Sequence, residues 1–296
     1  MSADQHSFSE PKGSVVVTGV SSGIGAAISR HLVSVGYFVF GSVRSEADAS
    51  SLKESLGDQF QPLVFDVRDR EKVNEAAKMV EQRLNRTPLR GLINNAGLAA
   101  FGPLENLDDD TFERTIAVNL LGSRIVTNAF IPALRGTDEN PPGKIINLSS
   151  LSGILNTPMN GAYCVAKHAL ESLAEVYRRE LLPDGIDVVS IRSGPVQSDI
   201  WNKNKTESSN VMYEHPPYQQ MAGKAAKIVA AAERDAIPAN GIALATQKIL
   251  ERTKNRTAYH FGKGAIVSRI LSCLPSRFAD RLITGSLMKP KKRPSE

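Results

Sequence analysis

Short runs of Val, Ile, Leu and Phe without polar alternation recur along the chain. They fall at Ser14–Thr18, Tyr37–Val43, Leu63–Asp66, Gly91–Asn94, Lys144–Leu148, Ile186–Ile191 and Ala258–Phe261. Apolar residues at successive positions predict strands buried on both faces, as in a parallel sheet. Between these runs, apolar residues return at three- and four-residue spacing and predict helices at Ile24–Val35, Arg70–Arg86, Asp108–Leu134, Ala162–Leu182 and Ala239–Thr253. Strand and helix in alternation predict an α/β fold over residues 14–262, a doubly wound parallel sheet of Rossmann type in a single domain.

Two stretches depart from the alternation. Residues 195–221 carry Trp201, Tyr213, Pro216, Pro217 and Tyr218 after the sixth strand. Long connections at the carboxyl ends of such strands often cover ligands, so a substrate loop or lid is expected there. Residues 263–288 place Ile266, Ile270, Leu271, Leu274, Phe278, Leu282 and Ile283 at helical spacing among Arg269, Arg277 and Arg281. A helical extension packed on the domain is expected, ahead of a basic amphipathic surface for a membrane or partner. A flexible polar tail is expected at 1–13 and a basic tail at 289–296.

Composition narrows the function classes. The 296 residues are 41% apolar and 23% charged, which excludes a disordered or collagen-like chain. The net charge of +5 draws +3 from Lys289, Lys291, Lys292 and Arg293 against Glu296, and the body shows no basic stripe, so nucleic acid is not an expected partner. Cys164 and Cys273 form neither a disulfide framework nor a metal-ligand pattern, so no metal site is expected. The first twelve residues are polar, and no window reaches the roughly 18 consecutive apolar residues of a spanning helix. A cytoplasmic location is the expectation.

The first strand runs into Thr18-Gly19-Val20-Ser21-Ser22-Gly23-Ile24-Gly25 and then a helix. Glycines at such a turn allow close backbone approach, and the helix N-terminus offers unpaired N–H groups to a pyrophosphate. Ile24 is expected to pack beneath the turn. The second strand ends in Val43-Arg44-Ser45. A dinucleotide enzyme that uses NAD places a carboxylate there; Arg44 instead suits a 2′-phosphate, with Ser22 as a further donor, and indicates NADP(H). Farther on, Tyr163 and Lys167 lie four residues apart, on one helix face. A cation beside a phenol favours the phenolate, the tuning a proton-transfer catalyst needs.

These motifs, taken together in order, resemble the short-chain dehydrogenase/reductase family over roughly residues 14–262. The likeness extends to Asp66-Val67, Asn94-Asn95-Ala96-Gly97, Asn119, Ser150 and Ser193-Gly194-Pro195-Val196. Within the family the chain is similar to steroid-, retinol- and carbonyl-reducing members. The resemblance implies that Tyr163 is the general acid or base and that Lys167 bonds the nicotinamide ribose and depresses the tyrosine pKa. Ser150 would hold the substrate oxygen, and Asn119 would anchor a water of the proton relay. Gly19, Ser21, Ser22, Gly23, Ile24, Gly25 and Arg44 would hold the phosphates. Asp66, Val67, Asn95, Ala96 and Gly97 would border the adenosine, and Pro195, Val196 and Ser198 the nicotinamide.

The expected activity is hydride transfer between NADP(H) and a hydrophobic ketone or secondary alcohol. The pocket would comprise Leu98, Leu151, Leu155, Met159 and the Trp201 loop. The alternative is a non-catalytic NADP(H)-binding regulatory protein on the same fold, although such proteins tend to lose the tyrosine or lysine. Relatives pair their long helices, so a homodimer or homotetramer is expected.

Overall fold

The computed structural model describes residues 12–197 and 215–287. Seven strands form one parallel sheet: β1 (Ser14–Val17), β2 (Phe38–Val43), β3 (Phe60–Val64), β4 (Gly91–Asn94), β5 (Lys144–Ser150), β6 (Asp187–Ser193) and β7 (Ala258–Phe261). Their order across the sheet is 3-2-1-4-5-6-7. The order reverses between β1 and β4, and ligands of doubly wound sheets bind in the crevice beyond the strand ends at that point.

Buried apolar side chains form a core on each face. On one, Val15, Val17, Val39, Ile146 and Val189 meet α1 (Gly23–Ser34), α2 (Glu46–Leu56) and α8 (Ala239–Glu251). On the other, Val16, Phe40, Leu92, Ile145 and Val188 meet α3 (Arg70–Leu84), α5 (Ser123–Leu134) and α6 (Gly161–Glu180). Alternate residues of one strand thus serve opposite cores, which is why the strands read as unbroken apolar runs.

Several boundaries differ from those the sequence predicts. Strand β3 begins at Phe60, not Leu63, and contains Pro62. The strand lies at the sheet edge, where a missing N–H costs no ladder bond. Helix α2 escapes the periodicity because it buries only Ala49 and Leu52; Ser45 caps it, its hydroxyl accepting from the Asp48 N–H at 3.2 Å. The expected 195–221 loop ends earlier, since α7 (Pro216–Arg234) starts with two prolines in its first turn. Residues 198–214, including Ser198, Trp201 and Tyr213, lie outside the described residues, as do most of the N-terminal tail and the basic tail.

The long helix predicted at 108–134 is present but changes pitch. It consists of α4 (Asp109–Ile116), a π-helical stretch at Ala117–Gly122, and α5. By length and composition alone this helix could cross a membrane, a property that counting consecutive apolar residues does not reveal. Its Val126, Phe130 and Leu134 are buried in the sheet-facing core.

Beyond β7, α9 (Ala265–Ser272) and α10 (Ser276–Leu287) form the extension. The expected close packing is only partly present: α9 buries no side chain, and α10 touches α7 and buries Ala279.

Candidate active site

The glycine turn follows β1, where the sheet crevice opens. Gly19 and Gly23 have φ of +69° and +60°, the left-handed region in which a Cβ is strained. Gly25 is set by proximity, because a Cβ there would lie 2.3 Å from the Gly19 carbonyl oxygen and 2.4 Å from Asn95 Nδ2. Ser22 is the N-cap of α1, and no side chain caps its first turn, so the helix presents its N–H groups at the crevice. Ser21 is exposed beside them, and Ile24 packs on the core as expected.

This turn is stitched to its neighbours. Thr18 Oγ1 accepts the N–H groups of Asn95 and Ala96 at 2.9 Å each. Asn95 Nδ2 donates to the carbonyls of Thr18 and Gly19 at 2.8 and 2.9 Å, and the Gly19 N–H donates to Ser42 Oγ at 3.0 Å. Asn95 and Ala96 therefore shape the phosphate turn as well as edging the crevice. Ser42 was not singled out by the sequence, and Thr18 only as the start of the turn; their signal is a hydroxyl just past β1 and at the penultimate position of adjoining β2.

Arg44 is exposed at the end of β2, near enough to Asp66 to hold its carboxyl down in pKa. The larger cause is Arg68, whose Nε and Nη2 donate to the two Asp66 oxygens at 2.9 and 2.8 Å. Arg68 is a second cation beside the crevice that sequence reading missed, although Asp-x-Arg after a strand is a visible cue. Asp69, and not Asp66, caps α3. Val67 is buried and sits over Gly122, where a Cβ would meet it at 2.6 Å. Gly97 likewise clears Asn119 Oδ1, which a Cβ would approach to 2.7 Å.

The proton-transfer residues gather at the carboxyl end of β5. Ser150 ends that strand, and its hydroxyl accepts from the Ser152 N–H at 3.1 Å. The phenol of Tyr163, in the first turn of α6, lies close enough to the same hydroxyl for Ser150 to lower its pKa. Lys167, one turn on and 4% exposed, donates to the Leu148 carbonyl at 2.8 Å and lies 5.6 Å from the Tyr163 ring centroid.

Burial dominates the acidity of both groups. It pushes the Tyr163 phenol up to about 12, the Ser150 contact opposing it. It pulls Lys167 down to about 8, with Glu171 opposing. The expected depressed phenol is therefore corrected. The ammonium stands 5.6 Å from the ring centroid, and desolvation of the buried phenol is the largest cause of its shift. Glu171 lies four residues beyond Lys167 on the same helix and pairs with Arg192 of β6 at 2.7 Å. That pair is a supporting contact whose i, i+4 spacing from the lysine was its signal.

Asn119 is fully buried within the π-helical stretch. Its Oδ1 accepts from the Leu98 N–H at 3.0 Å and its Nδ2 donates to the Leu98 carbonyl at 2.7 Å. The side chain thus clamps the strand-end loop, so any bond to a relay water must compete with that clamp or use the main chain. Pro195 and Gln197 are fixed through backbone bonds to Ile237 at 3.1 and 3.0 Å, and the Val196 side chain is buried in the core.

Beside this site Met159, Met221 and Ala225 form a separate apolar cluster with Phe101, Tyr218 and Ala222. Met159 is 3% exposed, so it backs the pocket wall instead of lining it freely. Tyr218 donates to Glu105 at 2.6 Å, tying α7 to the loop after β4. Leu98, Leu151 and Leu155 are half-buried.

The family model described as short chain dehydrogenase matches residues 13–209. The chain is 32% identical over 276 residues to NADPH-dependent 3-dehydrocapnine reductase of Ornithobacterium rhinotracheale, covering 93% of this chain and 97% of that protein. It is 30% identical to mouse retinol dehydrogenase 5 over 70% of its own length but only 64% of that protein's. A short-chain dehydrogenase structure from Streptomyces avermitilis superposes with a TM-score of 0.76 at 25% identity, covering 94% of this chain and 98% of the other. Actinorhodin polyketide ketoreductase, solved with NADPH, shares the fold at a TM-score of 0.70 and 24% identity, covering 86% of this chain and 97% of that one.

Proposed function

This chain belongs to the short chain dehydrogenase family of oxidoreductases acting on CH–OH and C=O groups, and we propose that it is an NADPH-dependent reductase of apolar ketones. The observation that carries the reading is the meeting of the Ser150 hydroxyl and Tyr163 phenol beside Lys167, at the carboxyl end of β5.

The crevice suits a dinucleotide phosphate. Gly25 lets α1 close on the Gly19 carbonyl and Asn95, α1 presents its N-terminus at the crevice, and Arg44 is exposed at the end of β2, able to pair with a 2′-phosphate. The 3-dehydrocapnine reductase, whose name specifies NADPH, supports the same choice. When bound, the nicotinamide supplies the hydride.

The protein's own part is proton delivery and orientation. Ser150 and Tyr163 direct two hydroxyls at one carbonyl oxygen, where Tyr163 releases its proton as charge develops. A phenol held near 12 stays protonated throughout the neutral range, which suits it to donate during reduction more than to accept during alcohol oxidation. Lys167, near 8, is the adjacent group able to return a proton to the phenolate. The half-buried Leu98, Leu151 and Leu155, together with the Met159–Met221 cluster, favour an apolar substrate body. Assays of ketones of graded hydrophobicity with NADPH and NADH test this reading. Turnover with NADPH on apolar ketones is expected; absence of NADPH oxidation with every ketone would favour a non-catalytic binding protein.

A further inference from the structure

We propose that the C-terminal extension attaches the protein to an anionic lipid surface, as a monotopic contact beside the mouth of the catalytic cleft. Helix α9 has its amphipathicity inverted. Its inward positions, Ala265, Ser268 and Leu271, are half-buried, whereas Ile266, Val267 and Ile270 are 75%, 58% and 57% exposed. A surface helix ordinarily turns its apolar stripe to the core. Helix α10 repeats the feature: Ala279 faces the protein while Phe278 and Leu282 are about half exposed. Five large apolar side chains on two consecutive helices are more than scattered surface residues require.

Charge identifies the occupant. Lys263, Arg269, Arg277, Arg281, Lys289, Lys291, Lys292 and Arg293, against Asp280 and Glu296, give residues 263–296 a net +6. The rest of the chain is therefore net −1, and half of the excess, +3 from Lys263, Arg269, Arg277 and Arg281 against Asp280, lies on and beside the two helices with the outward apolar faces. Apolar side chains interleaved with arginines match the acyl and phosphate layers of an anionic bilayer, and basic residues add attraction there without a specific pocket.

The attachment point bears on catalysis. The extension leaves the carboxyl edge of the sheet directly after β7, where the Phe261 carbonyl accepts from the Gly194 N–H at 2.8 Å, next to Pro195. Helix α10 also contacts α7, which carries the Tyr218–Met221 wall. Docking through α9 and α10 would bring the open side of the cleft toward the bilayer, from which an apolar ketone could enter. Lipid attachment itself does not depend on the reaction assigned above.

Flotation of the full chain with phosphatidylcholine vesicles, with and without phosphatidylglycerol, tests the proposal. Binding is expected to anionic vesicles at low salt, roughly ten-fold or more weaker to phosphatidylcholine alone, and reduced at high salt. Ile266→Ser with Ile270→Ser, and separately Arg269→Gln with Arg277→Gln and Arg281→Gln, should each weaken anionic binding by about ten-fold or more. Both variants should keep wild-type melting and turnover of a water-soluble ketone. The proposal is overturned by equal binding to both vesicle types, by no binding to either, or by unaltered binding of either variant. It is equally overturned if the isoleucine variant dissociates an oligomer of this chain, which would make the face a protein interface.

Discussion

Asn119 holds Leu98 by both ends of its peptide, accepting from the Leu98 N–H at 3.0 Å and donating to its carbonyl at 2.7 Å. The two residues are 21 positions apart, yet the amide acts as one more rung between the π-helical stretch and the loop beyond β4. A π-turn within an α-helix is uncommon and concentrates at functional sites; here it contains the asparagine that fixes the loop beside the cleft.

Asn119→Ala would leave the N–H and carbonyl of half-buried Leu98 without these partners. A loss of about 1–3 kcal/mol of stability is expected in urea unfolding, together with a fall in kcat larger than any change in KM for the cofactor. A variant as stable as wild type would remove the clamp from the account.

Gly25→Ala places a methyl group against the Gly19 carbonyl and Asn95 Nδ2, at 2.3 and 2.4 Å before relaxation. Both belong to the phosphate turn, so relief must deform it. NADPH affinity, followed by fluorescence titration, should weaken by about ten-fold or more, since a displaced backbone N–H loses a charge-assisted bond.

Cofactor choice should be separable from catalysis. Arg44→Ala is expected to raise KM for NADPH by roughly ten-fold while leaving that for NADH nearly unchanged. If Arg44→Ala affects both cofactors equally, the arginine does not read the 2′-phosphate.

The two buried titratable groups make opposite contributions to the pH dependence of stability. Lys167 falls from 10.5 to about 8 on folding, so between those values the unfolded chain binds more protons and this group's contribution rises with pH. Tyr163 rises from 10.0 to about 12, so its contribution falls as pH increases through that higher window. Urea unfolding of cofactor-free protein from pH 8 to 10 should show the lysine-dependent gain, and Lys167→Met should abolish it. An unchanged slope in that variant would contradict the burial effect.

The sheet was legible because its strands are buried on both faces, and Val15-Val16-Val17 or Ile145-Ile146 has no other economical reading. The turn Gly19–Gly25 and the pair Tyr163–Lys167 were legible because their chemistry is local in sequence. What escaped depends on distant partners. Glu46–Leu56 buries too few side chains to show a period, and Pro62 hides a strand start that only an edge position tolerates. The raised phenol was not legible either, because a four-residue spacing conveys proximity but carries no information about desolvation. Nor could periodicity show which face of Ala265–Ser272 turns outward; an apolar stripe has the same spacing whether it meets a core or solvent.

Single-turnover reduction of an apolar ketone by NADPH-saturated Tyr163→Phe tests the central claim most directly, with NADPH affinity measured alongside. Removing only the proton donor should slow the chemical step by about 10²–10⁴-fold and leave NADPH affinity unchanged. A variant that binds NADPH normally and reduces the ketone at close to the wild-type rate would contradict the assignment of Tyr163 as the acid.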